Sequence, residues 1–416
     1  MKPATLIFLL TYILVALGEH SPRKVDRPTA ALLGAVLMVA TGVLTRAEAK
    51  AAIDFSTLAV LFGLMLLLNI LLQSGLPTYL AFKALGLCRG PRTLLALVVF
   101  TAGLASALML NDTVCLLGTP LLLAMTAQVG LPATPYLLAL ATSANIGSVM
   151  TLTGNPQNII IAQASGWSWA GFAMIMVPVG LICLTVNLLL LLLIFHRSLA
   201  RLRFKQAAYL PPDLEINLPL AGKGIVVFVG LIMAFLLGVH MDFAALAAAT
   251  LLLVWSNRPP RDALAKVDWN LLLFFAGLFI VIQGLIKADA VLLRQLESWA
   301  GPLGAHLNWQ NLSFMSAAII IGSNIFSNVP LVLLVIHWVD TMSHPAFLWL
   351  LLALTSTLSG NLTLFGSMAN LIVAQGAQRR SPLTFGDFLW VGIPITLTTT
   401  GIGVLILWLF WRWGLV

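Results

Sequence analysis

Charge is what this sequence has least of. Asp, Glu, Lys and Arg make up 9% of its 416 residues, where a soluble fold carries about a quarter. Cysteine is almost as scarce: Cys88, Cys115 and Cys183 form no paired framework and show no metal-ligand spacing, which excludes a disulfide scaffold and a zinc centre. There is no Walker loop, no zinc motif and no Ser/His/Asp order, so neither an enzyme nor a cofactor is expected. The formal net charge of +8 comes without a basic stripe or aromatic-basic interleaving, so no nucleic-acid partner is expected either. What the chain has instead is apolar: 60% of its residues are hydrophobic. That composition reads as an all-α polytopic membrane protein whose first partner is the lipid bilayer. The opening MKPATLIFLLTYILVALGEH looks like a signal peptide, but Leu17-Gly18-Glu19-His20 has an internal counterpart in Leu237-Gly238-Val239-His240. The first apolar run is therefore read as a retained helix.

That counterpart belongs to a duplication. A shift of 214 residues places Ile53-Asp54-Phe55 on Val267-Asp268-Trp269, Gly63 on Gly277, and Ala30-Ala31-Leu32 on Ala244-Ala245-Leu246. A shift of 212 places TLTGNPQNIIIAQ (Thr151 to Gln163) on TLFGSMANLIVAQ (Thr363 to Gln375), with seven of thirteen positions identical. Matching Asp, Gly, Asn and Gln at a fixed offset is hard to obtain by chance. The sequence divides into a first repeat (1–195), a cytoplasmic linker (196–221) stiffened by Pro211-Pro212, and a second repeat (222–416). In each repeat one long apolar segment (about 92–128 and about 308–343) carries a central polar break, Leu110-Asn111-Asp112-Thr113 or Phe326-Ser327-Asn328-Val329-Pro330. Each arm is then about 15–18 residues, which reads as a re-entrant hairpin, and the next segment (about 134–165 and about 346–376) reads as a broken helix.

With hairpins, each repeat crosses five times, an odd number, so the two repeats are inverted. Placing both termini outside puts sixteen of the 22 Lys and Arg in inner loops, leaving Lys2, Arg46, Lys50, Lys287, Arg294 and Arg412 outside. This is the asymmetry that the positive-inside rule requires of a ten-span inverted repeat.

Unpaired backbone groups cost several kcal/mol in hydrocarbon, so a break at membrane depth must be buried in protein or line a cavity. Four such breaks, matched across a duplication, point to a site. Asn155 can cap a half-helix that starts at Pro156, and Ser367 can cap its partner. Asn111 or Asp112, and Ser327 or Asn328, are expected to cap the outgoing hairpin arms. Four positive helix ends would then face one point. Asp112 is the one acid placed near mid-membrane, where a carboxylate can carry a proton or bind Na+. No Lys or Arg is expected at that depth, so an anion would be held by amides, hydroxyls and dipoles alone. Asn158 and Asn370 lie within a turn of the breaks and join the candidates. Asn69 and Gln283, which coincide under the 214 shift, are weaker ones.

These residues also carry a resemblance. SANIGSVMTLTGNPQN (Ser143 to Asn158) resembles the SANIGG…TLIGDPPN signature of ArsB- and NhaD-type permeases and the GTPPN element of divalent-anion/sodium symporters. FSNVPLVLL (Phe326 to Leu334) resembles their DNVPL and SNT hairpin tips, and LFFAGLFIVIQGL (Leu273 to Leu285) is similar to a helix of ArsB-like proteins. The whole pattern is most similar to YbiR-type bacterial permeases. The resemblance implies the ion-transporter fold, a homodimer, elevator-type alternating access and a multi-pass protein of the bacterial inner membrane. It implies one half-site at Asn111, Asp112, Thr113, Gly154 and Asn155, and another at Ser327, Asn328, Gly366 and Ser367. Thr153 joins the first, and Na+ is expected, if anywhere, at Asn111, Asp112, Gly154 and Asn155. The chain departs from the symporters in its Asn-Asp-Thr and Ser-Asn-Val tips and in the SMAN of its second break. Dicarboxylate specificity and a two-sodium stoichiometry therefore do not follow. The expectation is a secondary active transporter of a small inorganic or carboxylate anion coupled to H+ or Na+. The alternatives are a cation/proton antiporter with Asp112 as ligand, and a passive ion channel.

Overall fold

The computed structural model describes residues 2–17, 25–202, 216–289, 298 and 306–416, and no strand occurs among them. Residues 203–215 of the linker expected at 196–221, Pro211-Pro212 included, lie outside the described residues, as do Arg23, Lys24, Arg203, Lys205 and Arg294 of the charge count.

The first half runs through α1 (Pro3–Leu17), α2 (Arg27–Ala40), α3 (Arg46–Ala52), α4 (Phe55–Leu72), α5 (Leu76–Leu87), α6 (Pro91–Leu108), α7 (Asn111–Val129), α8 (Thr134–Ser148), α9 (Pro156–Ser165), α10 (Trp169–Ile194) and α11 (His196–Arg201). The second runs through α12 (Leu218–Leu236), α13 (Met241–Trp255), α14 (Pro260–Leu264), α15 (Trp269–Ala288), α16 (Trp309–Phe326), α17 (Asn328–Val339), α18 (Pro345–Ser359), a 3-10 turn (Leu364–Gly366), α19 (Met368–Ala377) and α20 (Phe385–Arg412). Seven of these helices, α4, α6, α7, α10, α12, α15 and α20, are long and apolar enough to cross a membrane. The arms of the first hairpin, α6 and α7, measure 18 and 19 residues, while those of the second, α16 and α17, measure 18 and 12.

The two halves interlock through small residues. α4 packs on α13 and α15 packs on α2. A Cβ added to Gly63 would stand 2.6 Å from the carbonyl carbon of Ala245, and one added to Gly277 would stand 2.7 Å from that of Ala31. The 214-residue shift exchanges these two contacts. Between apolar helices, close backbone approach at Gly and Ala is what drives association, because lipid offers no hydrophobic incentive.

At the centre lie α8 and α18, in which every residue from Pro135 to Ser148 and from Phe347 to Ser359 is buried. Their C-terminal ends are polar, with Asn145 and Ser148 on one and Thr357 and Ser359 on the other. A helix buried on all sides belongs to the interior of the bundle. α10 and α20 pack together along one flank, each with a proline inside it, Pro178 and Pro394.

Candidate functional site

Each broken helix is mended by the same two devices. Asn155 caps α9 by accepting from the Asn158 amide at 2.8 Å, with Pro156 in the first turn, and Ser367 caps α19 by accepting from the Ala369 amide at 3.2 Å. Behind each cap an asparagine amide reaches back ten and seven residues to two carbonyls that the break has left open. Asn158 Nδ2 donates to Ser148 O (3.1 Å) and Thr151 O (2.9 Å), and Asn370 Nδ2 donates to Gly360 O (2.7 Å) and Thr363 O (2.9 Å). The 212-residue shift maps each set onto the other.

The hairpin tips are built differently, and here the expectation of side-chain caps at Asn111 or Asp112 and at Ser327 or Asn328 is corrected. α7 has no side-chain cap; instead the Asn111 amide donates to Gly154 O at 2.9 Å, tying the tip to the first break. α17 has none either, and its cap residue Ser327 holds φ 70°, ψ 158°. That backbone region is nearly exclusive to glycine and costs about 1–3 kcal/mol in other residues.

A buried amide network joins the halves. Asn111 Nδ2 donates to Asn145 Oδ1 (3.0 Å), which also accepts from Ser367 Oγ (3.0 Å). Asn145 Nδ2 donates to Asn361 Oδ1 (2.9 Å) and Asn370 Oδ1 (3.1 Å). Asn155 Nδ2 and Gln157 Nε2 both reach Thr357 Oγ1 at 3.2 Å. Asn328 Oδ1 accepts from Ser359 Oγ at 3.3 Å.

Against this network lies a cavity of about 40 Å³, walled by the starts of four helices: Asn111 and Asp112 of α7, Pro156 and Gln157 of α9, Ser327 to Val329 at α17, and Ser367 and Met368 at α19. Its remaining wall is Arg27 of α2 and Leu271, Phe274 and Phe275 of α15. It shares Arg27, Asp112, Leu271, Phe274 and Met368 with a larger cavity of about 320 Å³ that also meets Asp26, Asp268 and Gln375. A helix start carries partial positive charge, so four of them around one space favour a negative occupant. Asn111 Oδ1 is buried without a hydrogen-bond partner, and it belongs to a residue on this wall.

Of the residues read from the sequence, Asn111, Asp112, Ser327, Asn328 and Ser367 line the small cavity. Thr113, Thr153, Gly154, Asn155, Asn158, Gly366 and Asn370 do not stand on either wall. Thr153 accepts from the Trp169 indole at 3.1 Å, and Asn69 donates to Lys266 O at 2.8 Å. Gly366 has Asn324 Oδ1 2.8 Å from where its Cβ would be.

Three residues were missed by sequence reasoning. Asn145 stands in the Ser143 to Asn158 stretch but is not among the site candidates, yet it centres the network. Gln157 is not among the sequence candidates either, yet it lines the small cavity and reaches Thr357. Arg27 overturns the expectation that no base stands near Asp112: it is the first residue of α2, not a loop residue, and it lines both cavities with Asp112. The charges of Asp268 and Arg27 both bear on Asp112. At the cavity edge, hydrogen bonds from Thr29 hold the Asp26 carboxyl below its ordinary range, which keeps it anionic.

Comparison with known proteins supplies the family. The citrate transporter family, CitMHS, matches residues 12–357. The chain is 33% identical to the silicon efflux transporter LSI3 of Oryza sativa subsp. japonica, over 91% of this chain and 92% of that one. It is 31% identical to a 46 kDa membrane protein of Mycobacterium leprae, over 98% of both, and 26% identical to the putative transporter arsB of Dictyostelium discoideum, over 96% and 91%. Among solved structures, the Alcanivorax borkumensis YdaH transporter shares the fold, with a TM-score of 0.61 at 15% identity, covering 100% of this chain and 99% of that one. A family match across most of the chain, on a bundle of apolar helices around broken ones, makes this a membrane transporter of the citrate transporter family.

Proposed function

We propose that the chain is a secondary active transporter that moves a small inorganic or carboxylate anion coupled to H+ or Na+. The observation that carries this reading is the convergence of four helix starts on one cavity, an arrangement that suits an anionic occupant. The names of two relatives, a silicon efflux transporter and a putative transporter arsB, accord with a small oxygen-rich solute. In this reading the repeats are inverted, the chain crosses ten times with both termini outside, and the protein sits in a bacterial inner membrane. The exchanged Gly63–Ala245 and Gly277–Ala31 contacts support a twofold relation between the halves. By the charge count, Arg27 lies on the cytoplasmic side, so the larger cavity opens inward. α6–α9 and α16–α19 would move as a unit against α2, α4, α13 and α15, in a homodimer whose mass light scattering would measure.

The test is a thermal-shift screen of purified protein against anions, with and without Na+, at two pH values. At least one anion raises the melting temperature, and Na+ or lower pH enhances the effect. If every anion leaves it unchanged at both pH values, the anion reading fails. A second reading, cation/proton antiport with Asp112 as the ligand, draws support from the unpartnered Asn111 Oδ1 beside that carboxylate. Na+- or Li+-induced dequenching of a pH dye in inverted vesicles, without any anion requirement, would favour it. A passive channel would show no pumping of the coupling ion by a solute gradient.

A further inference from the structure

Resting on the anion reading above, we propose that Arg27 is the residue that recognises the charge of the transported anion, through its guanidinium fork at the mouth of the small cavity.

Three observations place it there. First, Arg27 is the one Lys or Arg on the walls of either cavity, and it stands on both. Second, its guanidinium is nearly unused. Among the described residues its one hydrogen bond runs from Nη1 to the Met368 sulfur at 4.0 Å. It takes part in neither of their salt bridges, which join Lys2 to Asp289 and Lys287 to Glu48. A thioether is a weak acceptor, and a guanidinium carries five donors. Two of the three nearby carboxylates are engaged elsewhere: Asp26 caps α2 through the Thr29 amide at 2.9 Å, and Asp268 caps α15 through the Leu271 amide at 3.0 Å; the third, Asp112, shares both cavity walls with Arg27 but is in neither salt bridge. Third, the fold does not need an arginine at this position. The 214-residue shift carries Arg27 to Met241, which opens α13 as Arg27 opens α2. The helix in the same place of the duplicated half begins without an arginine.

A half-buried guanidinium with free donors, pointed at a space ringed by helix starts, matches a ligand with two oxygens that can take the fork. That describes a carboxylate or a tetrahedral oxyanion. Arg27 comes from α2, which packs on α1 and α15, whereas the helix starts opposite it belong to the hairpins and broken helices. The anion would therefore be held between two groups of helices. Met368, whose sulfur now occupies one donor, lies at the start of α19 and yields its place to the ligand.

The experiment measures binding of citrate, inorganic phosphate, arsenate and sulfate to the purified protein in detergent, by thermal shift and calorimetry. For the anion that stabilises the wild type, Arg27→Gln raises Kd about ten-fold or more, as expected for loss of a charge-assisted contact. Arg27→Lys raises it less, and the melting temperature without anion stays unchanged in both. An Arg27→Gln protein that binds the same anion with wild-type Kd overturns the inference and leaves the anion reading standing. Failure of all four anions to stabilise the wild type sinks the reading, and the inference with it. Should Arg27→Gln not fold, phenylglyoxal modification of the wild type decides. Saturating anion slows the labelling of Arg27, read by mass spectrometry. An unchanged labelling rate overturns the proposal.

Discussion

An asparagine inside a membrane protein has two donors and an acceptor to place, and Asn158 and Asn370 place their donors on carbonyls that the broken helices leave open. Their proximity to the breaks made them ligand candidates by sequence; the geometry gives their amides a different job, holding the loop closed. Replacing either with Ala removes two hydrogen bonds across a break, each worth about 0.5–1.5 kcal/mol. Both Asn158→Ala and Asn370→Ala should therefore lower the melting temperature of the unliganded protein, Asn370→Ala by more, because its Oδ1 also accepts from Asn145. A ligand-only role would leave that temperature where it is and change only the shift that anion induces. Ser327 works in the opposite sense. Its φ of 70° and ψ of 158° would relax at no cost in glycine, so Ser327→Gly should stabilise the protein by about 1 kcal/mol. Transport should fall, because a hydroxyl leaves the cavity wall. A lowered melting temperature in that variant would show that the Ser327 side chain contributes more than its backbone strain costs.

Between elements, the backbone contacts of α4 with α13 and of α15 with α2 make a paired test of the duplication. A methyl group on Gly63 or Gly277 meets backbone, at 2.6 Å and 2.7 Å, rather than a flexible side chain. Neither helix can yield without parting from its partner. Gly63→Ala and Gly277→Ala should each destabilise by about 1–3 kcal/mol through overpacking, and the two losses should match, read as melting temperatures in one detergent. A large loss at one glycine and none at the other would mean the halves do not interlock equivalently. The equivalence of these positions was legible, because Gly, Ala and Asp recur at one offset; that they meet across the halves was not. The broken helices were legible too: Asn155-Pro156 and Ser367 are local signals, and a cap acts within one turn. The hairpin tips were not. The Asn111 amide finds its partner at Gly154, 43 residues on, and nothing local announces that bond. Nor does a sequence show which face of α2 meets a cavity, so Arg27 read as one more basic residue of an inner loop.

For the whole molecule, the question is how one small space could link an anion to a coupling ion. Asp112 stands on the same wall as Arg27, so a charged Asp112 both repels an incoming anion and competes for the guanidinium that would receive it. Neutralising Asp112, by a proton or by Na+, removes both penalties at once. In the proposed anion reading, anion and coupling ion would then bind cooperatively, and by linkage each would tighten the other. The asparagine variant separates the two halves of that cycle. Asp112→Asn mimics the neutral carboxyl, so it should bind the anion at least as tightly as the wild type and lose the dependence of binding on pH or Na+. In proteoliposomes it should still exchange internal for external anion, because loaded protein can cycle, but it should not accumulate anion against a gradient. Uphill accumulation that keeps its wild-type pH and Na+ dependence would remove Asp112 from the coupling and leave Arg27 and the helix starts to explain binding alone.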